Sequence, residues 1–391
     1  VAVTTAGGWG GGPAAAAPMP LRAAAHTSSS SPSPSVWPRP ARAALPAPTA
    51  RQLQAAVDEY VRSTGIVGVT AALVTPEGSW TGAAGADGVG VRLRAASAMP
   101  IASTTKTFVA AEVLVLARRG RIDLDAPVTR YVALPFDAHG ATVRQLATMT
   151  SGFPFIPDET AIAAASADLD RRWTCRDTVA LVPADAPRLG EQGGAAAYNG
   201  LNYVVLAMVV EKVTRLPLAE ALRRDLVAPA GLHRTWTETG ARPERPRPPR
   251  ALPVDDPVTP VVDRTSPLLP STAAATSFCG GTGVVSDALD LARWGYLLYG
   301  GRLIDRSLVD VMTTPNPLGG DWGYGFGTMI ADWDGTPFWG HAGNYAGYTS
   351  ILFAWPQTHT TAVVLTPVSG GPDGDVRADL AIGLYLTLLG G

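Results

Sequence analysis

Between Arg51 and Arg62 the apolar residues Leu53, Val57 and Val61 recur every fourth position, with Tyr60 beside them. That is the spacing of one buried face of an α-helix. Val67–Val74, rich in valine and alanine, then reads as a strand, Pro76-Glu77-Gly78 as a turn, and Ser79–Ala84 as the returning strand. The middle of the chain changes period. Thr104–Arg119, Leu201–Arg215, Leu218–Leu226 and Asp287–Tyr299 carry helical patterns. Strands return at Gly323–Trp333, Phe338–Gly340, Tyr348–Trp355 and Thr361–Thr366, and Asp375–Leu389 is helical again. Strands at both ends with helices between them predict an α/β fold of the α+β type. One antiparallel sheet would be flanked by helices, with an all-helical domain inserted. On this reading the sheet draws on residues from about 50–100 and 320–390, and the helical part on about 120–310.

Two stretches interrupt the patterning. Residues 1–48 are rich in Ala, Pro, Ser and Gly and are expected to form a disordered tail, with order beginning near Ala50. Arg242–Pro270 is too proline-dense for regular structure and reads as a long loop. Val1–Leu21 is uncharged but lacks a basic start and a Leu/Ile/Phe core, so it does not read as a signal peptide. The compartment, cytoplasmic or secreted, stays open. The longest apolar runs, Tyr203–Val210 and Leu380–Leu389, are too short to span a bilayer.

Composition narrows the function. A chain of 391 residues, 46% hydrophobic, is long enough for a large buried core, and a net charge of -2 gives no reason to expect a nucleic-acid partner. Cys175 and Cys279 have neither zinc-ligand nor thioredoxin spacing, and a disulfide and two free thiols both remain open. The histidines are scattered singly, so neither a metal nor a cofactor is expected.

The candidate chemistry begins at Ser103-Thr104-Thr105-Lys106. Phe108–Ala117 is apolar apart from Glu112, and Gly120 stops the helix. Residues three apart share a helical face, so Ser103 and Lys106 point the same way at the N-terminal edge of a buried helix. A serine hydroxyl needs a base, and a lysine serves only if burial holds it neutral. Alone, the string fits equally an N-cap serine followed by a solvated lysine. Two further strings support the chemical reading. Tyr198, just before the Leu201–Arg215 helix, is placed to relay a proton, although a core tyrosine would look the same. Gly340-His341-Ala342-Gly343-Asn344 lies on a strand or at its end. Its small residues would let a substrate approach, and a backbone N–H there would pair with that of Ser103 as an oxyanion hole. The alternative is a turn with an exposed histidine. Gly280-Gly281-Thr282-Gly283 reads as a tight turn, and Glu112 is expected to pair with an arginine.

Taken together, S-x-x-K, a Tyr motif and H-x-G in this order resemble the serine beta-lactamase and penicillin-binding-protein superfamily, in its class C beta-lactamase and DD-carboxypeptidase branch. The likeness extends through "IASTTKTFVAAEVLVLARRGRIDLDAPVTRYV", "YNGLNYVVLAMVVEKVTRLPLAEAL" and "GHAGNYAGYTSILFAWP", and covers roughly Ala50 to Leu389. It implies a beta-lactamase/DD-peptidase fold over residues 50–390, with Ser103 acylated, Lys106 its base partner and Tyr198 the relay. It places His341 where many relatives have lysine, and the oxyanion hole on the N–H groups of Ser103 and Asn344. Gly200 stands where the family's motif asparagine belongs, and Asn199 or Asn202 is the available substitute. The implied activity is transfer of the acyl group of an ester or amide, from a small-molecule or peptide substrate, to water or to an amine or alcohol. A D-alanyl-D-alanine carboxypeptidase, a class C beta-lactamase and a non-catalytic binding protein on the same fold are the alternatives.

Overall fold

The computed structural model describes residues 36–390 except 157, 240–248, 256–261, 320–321 and 370–375. In chain order the strands are β1 Gly68–Val74, β2 Ser79–Gly85, β3 Met99–Pro100, β4 Trp236–Thr237, β5 Val284–Ser286, β6 Asn316–Gly319, β7 Trp322–Tyr324, β8 Met329–Trp333, β9 Thr336–Tyr345, β10 Tyr348–Trp355 and β11 Thr360–Thr366. The helices are α1 Ala47–Thr64, α2 Thr105–Arg118, α3 Val143–Ala147, α4 Asp158–Ser166, α5 Cys175–Val179, α6 Leu201–Thr214, α7 Leu218–Leu222, α8 Thr272–Thr276, α9 Ala288–Tyr299, α10 Arg306–Met312 and α11 Val376–Leu389. Eight strands form one antiparallel sheet in the order β2-β1-β11-β10-β9-β8-β7-β6, so the two ends of the chain meet where β1 pairs with β11. This is the sheet architecture that the sequence resemblance implied.

The central strands β1, β10 and β11 are buried along their whole length. Alternate residues point to opposite faces of a strand, and here both faces are covered. Ala71, Leu73, Ile351, Phe353 and Val364 join a core under α1 and α11. Their neighbours Ala72, Val74, Leu352, Val363 and Leu365 join the larger core with α2, α6 and α9. Two-sided burial explains why these segments are nearly continuous in apolar residues although their neighbours are antiparallel.

Two boundaries differ from expectation. Residues 1–35 lie outside the described residues, but 36–48 are not a disordered tail. Trp37 is fully buried, its ring edge-on to Tyr296 at 5.1 Å, and its backbone N–H donates to Gly300 O at 2.9 Å. Leu45 N–H donates to Ser79 O at 3.0 Å beside β2. One buried tryptophan is worth about 3–5 kcal/mol, enough to hold a proline-rich segment that has no period of its own. The second difference is α9, which lies within the stretch assigned to the helical part yet packs on β1 and β11. Residues 242–248 and 256–261 of the proline-rich loop lie outside the described residues. Between them the chain returns against the fold, where Ala251 N–H donates to Ala98 O at 3.2 Å. Among the described residues no helix is long and apolar enough to cross a membrane.

Glu112 corrects a third expectation. It is fully buried in α2, but the nearby arginines serve Asp225 instead: Arg119 Nη1 lies 3.0 Å from Asp225 Oδ2, and Arg224 Nε donates to Oδ1 at 2.9 Å. Burial, and then the Asp225 carboxylate, push Glu112 up to about 8 from 4.5. The folded protein therefore holds this proton more tightly than the unfolded chain, and stability contributed by the neutral acid is lost as pH rises from about 4.5 to about 8. Glu112→Gln mimics the neutral acid. It is expected to match the wild type within about 1 kcal/mol at pH 5 and to exceed it by on the order of 2–4 kcal/mol at pH 8. Urea denaturation at the two pH values measures this, and an equal difference at both would refute the assignment.

Candidate active site

The nucleophile candidate sits on a constrained turn. Ile101 N–H donates to Val284 O at 2.9 Å, and Ser350 Oγ donates to Ile101 O at 2.7 Å. Ala102 follows with φ +47°, a left-handed conformation that non-glycine residues seldom adopt and that costs about 1–3 kcal/mol. A 3₁₀ turn over Ala102–Thr104 then leads into α2. These contacts hold Ser103 at the head of a helix buried almost all round, in which Phe108 stacks on Trp294 at 3.8 Å between ring centres.

Lys106 lies one turn further on, with Nζ 2.8 Å from Ser103 Oγ, and also donates to Gly281 O at 3.0 Å. The Tyr198 and Tyr203 rings lie beneath Nζ, 5.1 Å and 5.9 Å from their centres. Among the described residues no carboxylate acts on it, and burial pulls Lys106 down to about 7 from 10.5. Near pH 7 a large share of the lysine is therefore an amine able to accept a proton. Tyr198 moves the other way: burial pushes its phenol well above the ordinary range, with the Ser103 hydroxyl pulling slightly back. Its hydroxyl oxygen is buried and lies near the Ser103 hydroxyl. At neutral pH Tyr198 is a phenol with a proton to give.

His341 is on β9, but not as an exposed substrate contact. It is fully buried, with Nε2 3.1 Å from Tyr324 OH and Nδ1 against Ala342 O. Burial, then Lys106, lower its pKa to about 3. A carbonyl only accepts, so Nδ1 carries the hydrogen and Nε2 accepts from Tyr324. The neutral ring packs with the Tyr198 and Tyr324 rings, which also meet each other at 5.8 Å.

Beyond Gly340, the last β9 residue paired with β8 among the described residues, the β9 edge faces the Ser103 turn. A Cβ at Gly343 would lie 2.3 Å from Ile101 O and 2.9 Å from Ser103 N, so only glycine permits this approach. Ala346 and Gly347, both with positive φ, form the two-residue turn to β10. In such a hairpin Tyr345 and Tyr348 are a hydrogen-bonded pair, and pairs alternate from there, so Asn344 N–H points away from β10. Gly343→Ala is expected to lower kcat about 10²–10³-fold by forcing β9 and the Ser103 turn apart. Ester turnover checks this, and a fully active variant would contradict the close approach.

The Tyr motif is partly corrected. Asn199 is buried. Its Nδ2 donates to Phe153 O at 3.2 Å and Pro154 O at 2.9 Å, while Oδ1 accepts from Leu201 N–H at 3.0 Å. Asn202 Oδ1 accepts from Ser151 Oγ at 2.6 Å, and its Nδ2 lies 3.3 Å from Met149 Sδ. Both asparagines hold the Met149–Pro154 loop against α6, so neither is available to substrate in place of Gly200.

The sequence reading missed several participants. The Gly280–Gly283 segment is indeed a turn, but its Gly281 carbonyl is a partner of Lys106. Cys175 and Cys279 form a disulfide, Cα–Cα 5.3 Å, which pins this turn to α5. Tyr324 orients His341. An aromatic before Gly-Phe-Gly was the one available signal for Tyr324, and nothing local marks a carbonyl as an acceptor for a lysine 175 residues away.

A serine and a lysine at the head of a buried helix, set beside the edge of an antiparallel sheet, are the arrangement of the penicillin-binding-protein-like superfamily. The chain belongs to the beta-lactamase family, whose model it matches over residues 53–386. It is 26% identical over 334 residues to penicillin-binding protein 4 of Amycolatopsis lactamdurans, covering 78% of this chain and 79% of that one. With penicillin-binding protein 4* of Bacillus subtilis it shares 25% over 289 residues, 70% of this chain, and spans only 61% of that relative's length. Esterase EstB of Burkholderia gladioli is 34% identical over 217 residues, 51% of this chain and 54% of that one. Among solved structures, a D-stereospecific amidohydrolase from Streptomyces aligns with TM-score 0.69 at 27% identity, covering 85% of this chain and 98% of that one. D-amino acid amidase from Ochrobactrum anthropi aligns with TM-score 0.71 at 22% identity, over 88% of this chain and 98% of that one, a likeness of fold.

Proposed function

We propose that this protein is an acyl-transfer enzyme that forms an acyl-enzyme on Ser103 and passes the acyl group to water or to an amine or alcohol. The observation that carries this is the 2.8 Å contact between Ser103 Oγ and a wholly buried Lys106 amine. Neutral Lys106 accepts the Ser103 proton as Oγ bonds to the substrate carbonyl carbon. The oxygen that becomes negative is met by the N–H groups of Ser103 and Asn344. The bond to the leaving group then breaks, and Tyr198 donates the proton that departs with it, recovering one from Lys106. Water or the acceptor reverses these roles in the second half. A pure binding protein would gain nothing from burying a lysine beside a serine.

Ester substrates fit this site better than peptide amides or cephalosporins. Gly200 offers no side-chain amide to a substrate, and Asn199 and Asn202 are committed to the fold. A neutral hydrogen bond of that kind is worth about 0.5–1.5 kcal/mol. An ester, with its better leaving group, depends less on Tyr198. The esterase and the amidohydrolase among the relatives bracket this choice. The test compares kcat/KM for p-nitrophenyl esters, an acyl-D-Ala-D-Ala peptide and a chromogenic cephalosporin, with and without added amines. Ester preference is expected. Gly200→Asn combined with Phe278→Ala should shift it toward the amides, since an added Cβ at Gly200 already meets the Phe278 ring at 3.7 Å and the amide beyond it needs that space. Wild-type preference for the peptide or the cephalosporin would replace this reading with a carboxypeptidase or beta-lactamase.

A further inference from the structure

We infer that Phe278 and Tyr345 close the acyl end of the cleft and restrict Ser103 to short acyl groups. The inference rests on the acyl-enzyme reading above and adds the substrate class. Tyr198, which protonates the leaving group, lies at the His341 end of β9, its ring centre 6.1 Å from that of His341. The leaving group therefore departs toward His341, and the acyl group extends the other way along β9, past Gly343 toward Tyr345. Tyr345 is two residues beyond the point where Gly343 touches Ser103 N, about 7 Å along a strand.

At that distance the cleft is bridged. The wall opposite β9 has a gap at Gly200, and the Phe278 ring fills it: a Cβ at Gly200 would lie 3.7 and 3.8 Å from two of its carbons. The same ring meets Tyr345 edge-on, with centres 5.9 Å apart and planes at 69°. This is normal contact for an aromatic pair, and it joins the two walls.

The bridge is held from several sides. Ser277 Oγ is 2.9 Å from Tyr345 OH, and Thr178 Oγ1 donates to Ser277 O. The Gly281 and Thr282 N–H groups donate to Phe278 O at 3.0 and 2.8 Å, and Cys279 is tied to Cys175. The turn that carries Phe278 also carries the Gly281 carbonyl that holds Lys106, so Phe278 cannot move away without disturbing the base. A long acyl chain meets a fixed apolar stop, whereas an acetyl or butanoyl group ends before it.

The experiment measures kcat/KM for p-nitrophenyl acetate, butyrate and octanoate in the wild type, Phe278→Ala and Phe278→Leu. Labelling of Ser103 by a small fluorophosphonate is read by mass spectrometry, and folding by circular dichroism. The wild type is expected to disfavour octanoate against acetate by about tenfold or more. Phe278→Ala should raise the octanoate-to-acetate ratio by about tenfold or more. Phe278→Leu, which keeps more of the core volume, should raise it less and stands in if the alanine variant does not fold. A wild type that favours octanoate, or a ratio unchanged in a folded variant, overturns the inference. If Ser103 is labelled and esters turn over but the ratio stays flat, only this inference falls. If Ser103 is never labelled, the acyl-enzyme reading falls and takes this one with it.

Discussion

Replacing Ser103 by alanine is expected to abolish acyl-enzyme formation and to lower ester turnover by on the order of 10⁴-fold or more. No other hydroxyl replaces it: Tyr198 is held as a neutral phenol, and the Thr104 hydroxyl is engaged with Ser350 Oγ at 2.8 Å. The fold should survive. Ser103 makes no capping bond to the helix, and its partner Lys106 keeps the Gly281 carbonyl at 3.0 Å. The stability change should stay within about 1 kcal/mol. Mass spectrometry after exposure to an activated ester or fluorophosphonate, beside a thermal melt, reads both effects. Label on another residue, or turnover preserved in the pure variant, would remove Ser103 from the mechanism.

The second large effect belongs to Lys106. As a base it must lose its proton, and burial places that loss at about 7. Ester kcat/KM should therefore rise as pH increases through about 7. His341, at about 3, titrates far below this limb. Glu112, at about 8, is near enough to confuse it, so the limb should be re-measured in Glu112→Gln, where it should persist. Lys106→Ala should lose about 10²–10⁴-fold in kcat/KM, and Lys106→Arg should not restore it because a guanidinium stays charged.

Burial also sets a stability cost with a defined sign. The unfolded chain holds the lysine proton up to 10.5, the folded protein only to about 7, so this contribution to stability grows as pH rises between them. At pH 7 Lys106→Met should be more stable than the wild type by on the order of 2–4 kcal/mol while nearly inactive. A variant less stable than the wild type at that pH would mean that the lysine is not buried at a cost, and that the low pKa is wrong.

Much of the local structure is written in short-range pattern. The stripe of Leu53 and Val57 marks α1, the Pro-Glu-Gly turn joins β1 to β2, and the apolar runs of β10, β11 and α6 appear within a residue or two of their expected positions. Ser103 and Lys106 belong in the same class, because a spacing of three on a helix brings two side chains together without help from the rest of the chain. The order of the Ser, Tyr and His strings was enough to point to the family.

Contacts between distant segments supplied the remainder. Trp37 has no periodic neighbours, and only the groove beside Tyr296 makes it part of the core. Asn199 and Asn202 look like substrate ligands in a motif, yet carbonyls and a serine from the Met149–Pro154 loop occupy them. Glu112 was expected to meet an arginine, and the fold delivered those arginines to Asp225. Gly281 O reaches Lys106, Phe278 reaches Tyr345, and Cys175 reaches Cys279 across 104 residues. Helical and strand periods follow from backbone geometry repeated at each residue, so a sequence displays them directly. Which polar group is stranded, paired or buried depends on what tertiary packing places beside it, and local pattern does not contain that.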